Sequence, residues 1–139
     1  MIHLDTCFLI RALVPGSDAD RCLREWLANG QRLCMDSIAW TEFLCGPLAP
    51  GQRVLAERIV SERVDFSEQD AQRAAELFNA SGRRRGTLAD CMIAAAASQR
   101  GAALATVNSQ DFQRFEITGA AVGGLAGLHV NGPGGSRNG

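Results

Sequence analysis

A chain of 139 residues with 46% hydrophobic and 21% charged residues has room for one domain around one core. Its formal net charge is -1 and all 14 basic residues are Arg; no global basic field advertises nucleic acid, and the Arg bias is ascribed to genome composition ahead of phosphate recognition. Five Cys, at positions 7, 22, 34, 45 and 91 with no C-x-x-C pair, read as reduced, buried thiols and not as a disulfide scaffold or zinc site. With no signal peptide pattern and no apolar run of membrane-spanning length, the expected location is the cytoplasm.

Short apolar runs alternate with helical patterns along the chain. Ile2 to Leu4 reads as a strand, and Phe8 to Leu13 as a short helix ended by Val14-Pro15-Gly16. Ser17 to Asp20 resembles a capping box, with Asp in its third position. Ala19, Cys22, Leu23, Trp26 and Leu27 repeat at helical spacing until Asn29-Gly30. Leu33 to Met35 is the second strand, Ile38 to Cys45 the next helix, and Pro50-Gly51 opens another that carries Val54, Leu55, Arg58 and Ile59. Arg63 to Phe66 is a weak third strand. Ser67 to Asp70 is a second cap, before a stripe of Ala71, Ala74, Ala75 and Phe78. After a basic loop at 79–86 come a helix from Thr87 to Arg100, a strand from Ala102 to Thr106 and a short helix from Ser109 to Phe115. A last edge strand falls near Ala120–Val122 or Leu128–Val130. The domain spans residues 1–130, and the Gly-rich segment 131–139 reads as a disordered tail. Strands alternating with helices imply an α/β fold: a parallel sheet of about five strands covered by helices on both faces, a three-layer α/β/α sandwich.

Four acidic residues stand beside apolar or small neighbours, where a lone carboxylate costs several kcal/mol to bury. Asp5 follows the first strand, Glu42 lies about a turn into the helix after the second, and Asp90 is in the first turn of the helix from Thr87. Asp111 lies a turn beyond the strand ending at Thr106. Ligands of open parallel sheets bind beyond the carboxyl ends of the strands, so all four can face one crevice. Carboxylates gathered in this way call for a cation, and a hard divalent metal ion with oxygen ligands is the natural partner. Each residue also has a plainer explanation. Asp90 with Thr87 matches a capping box, Asp111 a first-turn Asp, Glu42 a solvated helix position and Asp5 an N-cap. The occurrence of four acids at matching structural positions favours the metal site.

These residues resemble the PIN-domain ribonucleases, specifically the VapC-type toxins of type II toxin–antitoxin systems. Leu4-Asp5-Thr6 with Leu9-Ile10 is similar to the opening L-D-T-N-x-L-I of that family. Ser37 with Glu42 and Gly46 resembles its S-x-x-x-x-E-L-x-x-G, and Asp90 with Ile93-Ala94-Ala95 its D-x-x-I-A-A. Leu104, Thr106, Asn108 and Asp111-Phe112 resemble its L-x-T-x-N-x-x-D-F. The resemblance implies a Mg²⁺- or Mn²⁺-dependent endoribonuclease. Asp5, Glu42, Asp90 and Asp111 would be its catalytic acids, and Asp5, Asp90 and Asp111 would bind the metal. Thr6, Ser37, Thr106 and Asn108 would support the site. Glu42 would bind through water or orient the nucleophile. The resemblance also implies a homodimer and a cognate VapB-type antitoxin.

Two departures mark this chain. Cys7 stands where the family usually has Asn, and His3 replaces a more usual apolar or aromatic residue in the first strand. Neither His3 nor His129 has a Ser or Cys partner in a recognisable nucleophile elbow, so covalent catalysis is a poor fit, and His3 reads as structural. Arg83, Arg84 and Arg85 precede the helix of Asp90 and are candidate RNA phosphate contacts; a solvated loop and an antitoxin surface are the alternatives. Two competing functions use the same residues: a structure-specific DNA nuclease, and a non-catalytic α/β binding module whose carboxylates are helix caps.

Overall fold

A computed structural model describes residues 1–83, 88–107 and 122–123. Strands β1 (Ile2–Leu4), β2 (Leu33–Asp36), β3 (Glu62–Val64), β4 (Ala103–Ala105) and β5 (Val122–Gly123) form one sheet in the order β3-β2-β1-β4-β5. Every neighbouring pair is parallel. Helices α1 (Thr6–Ala12), α2 (Asp18–Ala28), α3 (Ser37–Cys45), α4 (Gln52–Ile59), α5 (Glu68–Ala80) and α6 (Leu88–Gln99) connect and flank the strands. The expected α/β sandwich is therefore present, and β5 falls at the first of the two places foreseen for an edge strand. None of the helices among the described residues is long and apolar enough to cross a membrane.

Strand character follows burial. β1, β2 and β4 are buried at every position, as central strands of a parallel sheet must be, and read as short continuous apolar runs. β3 lies at the edge, is only partly buried and carries Glu62 and Arg63. Its pairing explains why the third strand was the weakest sequence signal.

Caps set the helix boundaries. Ser67 Oγ accepts the Asp70 amide at 3.1 Å, while the Asp70 carboxylate accepts the Ser67 amide at 2.9 Å, a complete capping box. At α2 the Ser17 hydroxyl accepts the Asp20 amide, but Asp20 turns to the Gly16 amide instead of closing the box on Ser17. The C-terminus of α2 closes through Gln31 N–H to Trp26 O and Gly30 N–H to Leu27 O, with Gly30 at φ 70°. Gly suits that left-handed position because it has no Cβ.

Core packing centres on α6, where Ala94 to Ala97 are all buried. Four small side chains in a row let neighbouring elements approach closely, and α5 packs along this helix. Phe8 of α1 stacks on Trp26 of α2 with centroids 5.2 Å apart. Trp40 packs against Phe43 and carries the Arg63 guanidinium 5.1 Å above its ring, joining α3 to the β3 edge. Asp70 is 1% exposed and is held by the Arg100 guanidinium. Arg100 also donates to Ala96 O and Asp65 O, so one side chain ties α5, α6 and the turn before α5 together. One expectation needs correction: the five cysteines form no disulfide, but Cys7 and Cys45 are exposed and only Cys34 and Cys91 are fully buried. Both exposed thiols sit on helix surfaces, where apolar neighbours in sequence do not imply burial.

Candidate active site

The strand order creates the site. From β1 the chain steps outward to β2 and β3, then crosses back to lay β4 on the other side of β1. Connections diverge between β1 and β4, and at such a switch point a crevice opens beyond the carboxyl ends of the strands. Leu4 is in register with Ala105, so the next residues, Asp5 and Thr106, meet there. The Asp5 amide donates to Ala105 O at 2.9 Å, and the Thr106 hydroxyl donates to Asp5 Oδ2 at 2.8 Å.

Asp5 occupies the N-cap position of α1 but makes no side-chain cap bond. The carboxylate is bonded to Thr106 and lies beside the Thr6 amide, without the capping bond deeper in the first turn that a plain N-cap makes. It is 3% exposed. Burial pushes its carboxyl up to about 6; the Thr106 bond and the Thr6 amide pull it down, while the negative charges of Asp90 and Glu42 push it further up. Asp90 and Glu42, two of the other three expected acids, are thus close enough to Asp5 for their charges to act on it. Asp90 is half-buried in the first turn of α6, and Glu42 is exposed on α3. Among the described residues, no three His, Cys, Asp or Glu side chains close on a common point to hold a metal ion.

The supporting residues divide. Thr106 acts on Asp5 directly. Thr6, next in the chain to Asp5, donates its hydroxyl to Ala39 O at 3.1 Å and ties α1 to α3. Ser37 donates to Val64 O at 3.1 Å, so its hydroxyl fastens α3 to the β3 edge. Arg83 is exposed, with φ 56° and its amide bonded to Phe78 O. Asn108, Asp111, Arg84, Arg85 and Thr87 lie outside the described residues, as do the helix expected at 109–115 and the tail at 131–139.

Sequence reasoning passed over Asp36. It ends β2 as Asp5 follows β1, is wholly buried, and caps α3 by accepting the amides of Ile38 and Ala39 at 2.8 and 3.0 Å. An Asp between an apolar run and a helical pattern was the available signal, the same one that marked Asp5. Its partner is His3, whose Nε2 lies 2.6 Å from Asp36 Oδ2.

The PIN-domain family model matches residues 2–117. The chain belongs to the PIN-domain family, a family of nucleases. Similar solved structures include FitAcB from Neisseria gonorrhoeae, at 22% identity and a TM-score of 0.71, covering 92% of this chain and 100% of that one. The DNA-bound VapBC from Salmonella typhimurium is 25% identical with a TM-score of 0.67, over 89% of this chain and 97% of that one. VapBC2 from Rickettsia felis, bound to a DNA fragment from its promoter, is 24% identical with a TM-score of 0.68, over 89% and 98%. No curated protein sequence matches the chain significantly.

Proposed function

We propose that the chain is a Mg²⁺- or Mn²⁺-dependent endoribonuclease of the VapC type, the toxin of a toxin–antitoxin pair acting in the cytoplasm. The observation that carries this reading is the Asp5 carboxylate, buried at the β1–β4 switch point, oriented by Thr106 and facing the charges of Asp90 and Glu42. A buried carboxylate with two acidic neighbours is stabilised by a cation, and an all-oxygen donor set suits a hard divalent ion. Asp5 and Asp90, with Asp111 beyond the described residues, would hold it. A divalent ion in such a set supplies an activated water and screens charge developing on phosphorus.

The chain's own residues do the rest. Thr106 fixes one oxygen of Asp5 and with it the plane of the carboxylate. Glu42, exposed on α3, would orient the attacking water. Arg83, Arg84 and Arg85 would contact RNA phosphates on approach, because phosphate binding is driven by charge. A VapB-type antitoxin and a homodimer complete the assembly; the presence of toxin–antitoxin complexes among the similar structures supports the antitoxin.

The test is cleavage of total cellular RNA, and of single-stranded DNA, by purified antitoxin-free protein with Mg²⁺, Mn²⁺ or EDTA, beside Asp5→Asn. Metal-dependent RNA cuts absent from the variant support the reading. Cleavage of DNA alone replaces it with the DNA nuclease, and no cleavage by folded protein under any metal leaves the binding module.

A further inference from the structure

We propose that His3 is a positioning residue for the acidic site, acting through Asp36 and helix α3. The inference rests on the nuclease reading above. His3 in β1 and Asp36 at the end of β2 are both 0% exposed. Central strand positions of a parallel sheet are normally apolar, and an imidazole and a carboxylate desolvated together gain little stability over a well-packed apolar pair. Their placement does more for geometry than for stability.

The Asp36 carboxylate is divided between two tasks. Oδ1 accepts the Ile38 and Ala39 amides in the first turn of α3, and Oδ2 faces His3 Nε2 at 2.6 Å. A capping Asp with one free oxygen can rotate and exchange its acceptors; the imidazole removes that freedom. His3 is itself held from the other side, because Cys34 Sγ lies 3.5 Å from Nδ1. Burial pushes the Cys34 thiol up to about 11, so it stays protonated at neutral pH. A tautomer with Nδ1 accepting the S–H and Nε2–H directed at Asp36 satisfies both contacts. A chain of bonds thus runs from β2 through β1 and back to the N-terminus of α3.

That helix reaches the acidic site at two points. It carries Glu42, whose charge is felt at Asp5. Its Ala39 carbonyl receives the Thr6 hydroxyl, one residue from Asp5. A small rotation of α3 moves both together, so the His3–Asp36 clamp sets where Glu42 stands relative to Asp5.

The experiment compares His3→Leu, His3→Gln and His3→Asn with the unaltered protein in RNA cleavage with Mg²⁺, Mn²⁺ titration and thermal unfolding. The Gln amide reaches the place of Nε2, whereas the Asn amide stops at Nδ1. Loss of a group that orients metal-site residues costs about ten- to a hundred-fold in activity or metal affinity. We expect a loss of this size in kcat, with KM unchanged, for folded His3→Leu and His3→Asn, and recovery in His3→Gln. If His3→Leu does not fold, the contrast between Gln and Asn decides. Equal kcat in those two, full activity in folded His3→Leu, or failure of all three variants to fold assigns the pair to the core alone and overturns the proposal. If the unaltered protein neither cleaves RNA nor binds Mn²⁺, the nuclease reading has failed, and the inference falls with it; a defect confined to the variants speaks to His3 only.

Discussion

The Thr106 hydroxyl donates to Asp5 Oδ2 at 2.8 Å, across 101 positions of sequence. The bond exists because β4 lies beside β1 with Leu4 opposite Ala105. It joins the two strands whose divergence opens the crevice, and it fixes the carboxylate on which the proposed chemistry depends.

Asp5→Asn should abolish cleavage while stabilising the metal-free fold. The Asp5 pKa is raised from 3.8 to about 6 by burial and then by its acidic neighbours. A folded-state pKa above the unfolded value means that ionisation opposes folding: the wild type loses stability as pH rises from about 4 through about 6. A shift of about two units corresponds to an upper value of roughly 3 kcal/mol. Thermal unfolding in EDTA should show the variant more stable at pH 7 and equal to the wild type at pH 3.5, and added Mg²⁺ should stabilise the wild type alone. A variant no more stable than wild type at pH 7 would sink this account.

Thr106→Val keeps the shape of the side chain and removes the donor. Asp5 then loses the bond that lowers its pKa, so the acidic limb of the pH–rate profile should move to higher pH. Stability of the metal-free protein at pH 7 should fall by about 1–3 kcal/mol, the cost of leaving a buried acceptor unmet. An unchanged acidic limb would show that the hydroxyl does not govern the carboxylate.

Arg100→Met should be among the costliest single changes. Asp70 is almost wholly buried, and burial alone would raise its pKa, but the Arg100 and Ser67 bonds outweigh this and hold it below the usual carboxylate range. Such a group adds stability above its unfolded pKa that disappears as pH falls through the lower folded value. Removing the guanidinium leaves a buried charge, at about 3–5 kcal/mol. Denaturant titration should show that loss at pH 7 and a smaller one below pH 3; equal losses at both would mean the ion pair is not its source.

Thiol reagents should separate the cysteines into three classes. Cys7 and Cys45 are exposed, whereas Cys34 and Cys91 are buried and Cys34 is further protected by a pKa raised to about 11. Two thiols should react rapidly in the native protein, with Cys22 intermediate and the other two reacting only on unfolding. Rapid labelling of Cys34 would contradict the packing of β2.

Local sequence accounts for most of the elements. Ser67 and Asp70 make the cap that their spacing announced, and Asn29-Gly30 ends α2 through a left-handed glycine. Continuous apolar runs became buried strands, while the weak signal at 63–66 became a partly buried edge strand at Glu62–Val64. Asp5 and Asp90 were legible because an acid after a strand or in a first helical turn has few reasons to lie among apolar residues. Burial of the cysteines was misjudged, because apolar neighbours in sequence do not say which way a helix faces.

The alternation of strand and helix, the helix stops and the acidic candidates follow from the sequence by itself, since each depends on residues within a few positions. Tertiary structure alone decided that β4 returns beside β1, that Asp5 bonds to Thr106, and that His3 meets Asp36. Those relationships depend on strand order and register, which bring together side chains 33 to 101 residues apart. No local propensity encodes them: they arise when burial of the sheet selects one packing, and the packing chooses each polar group's partner.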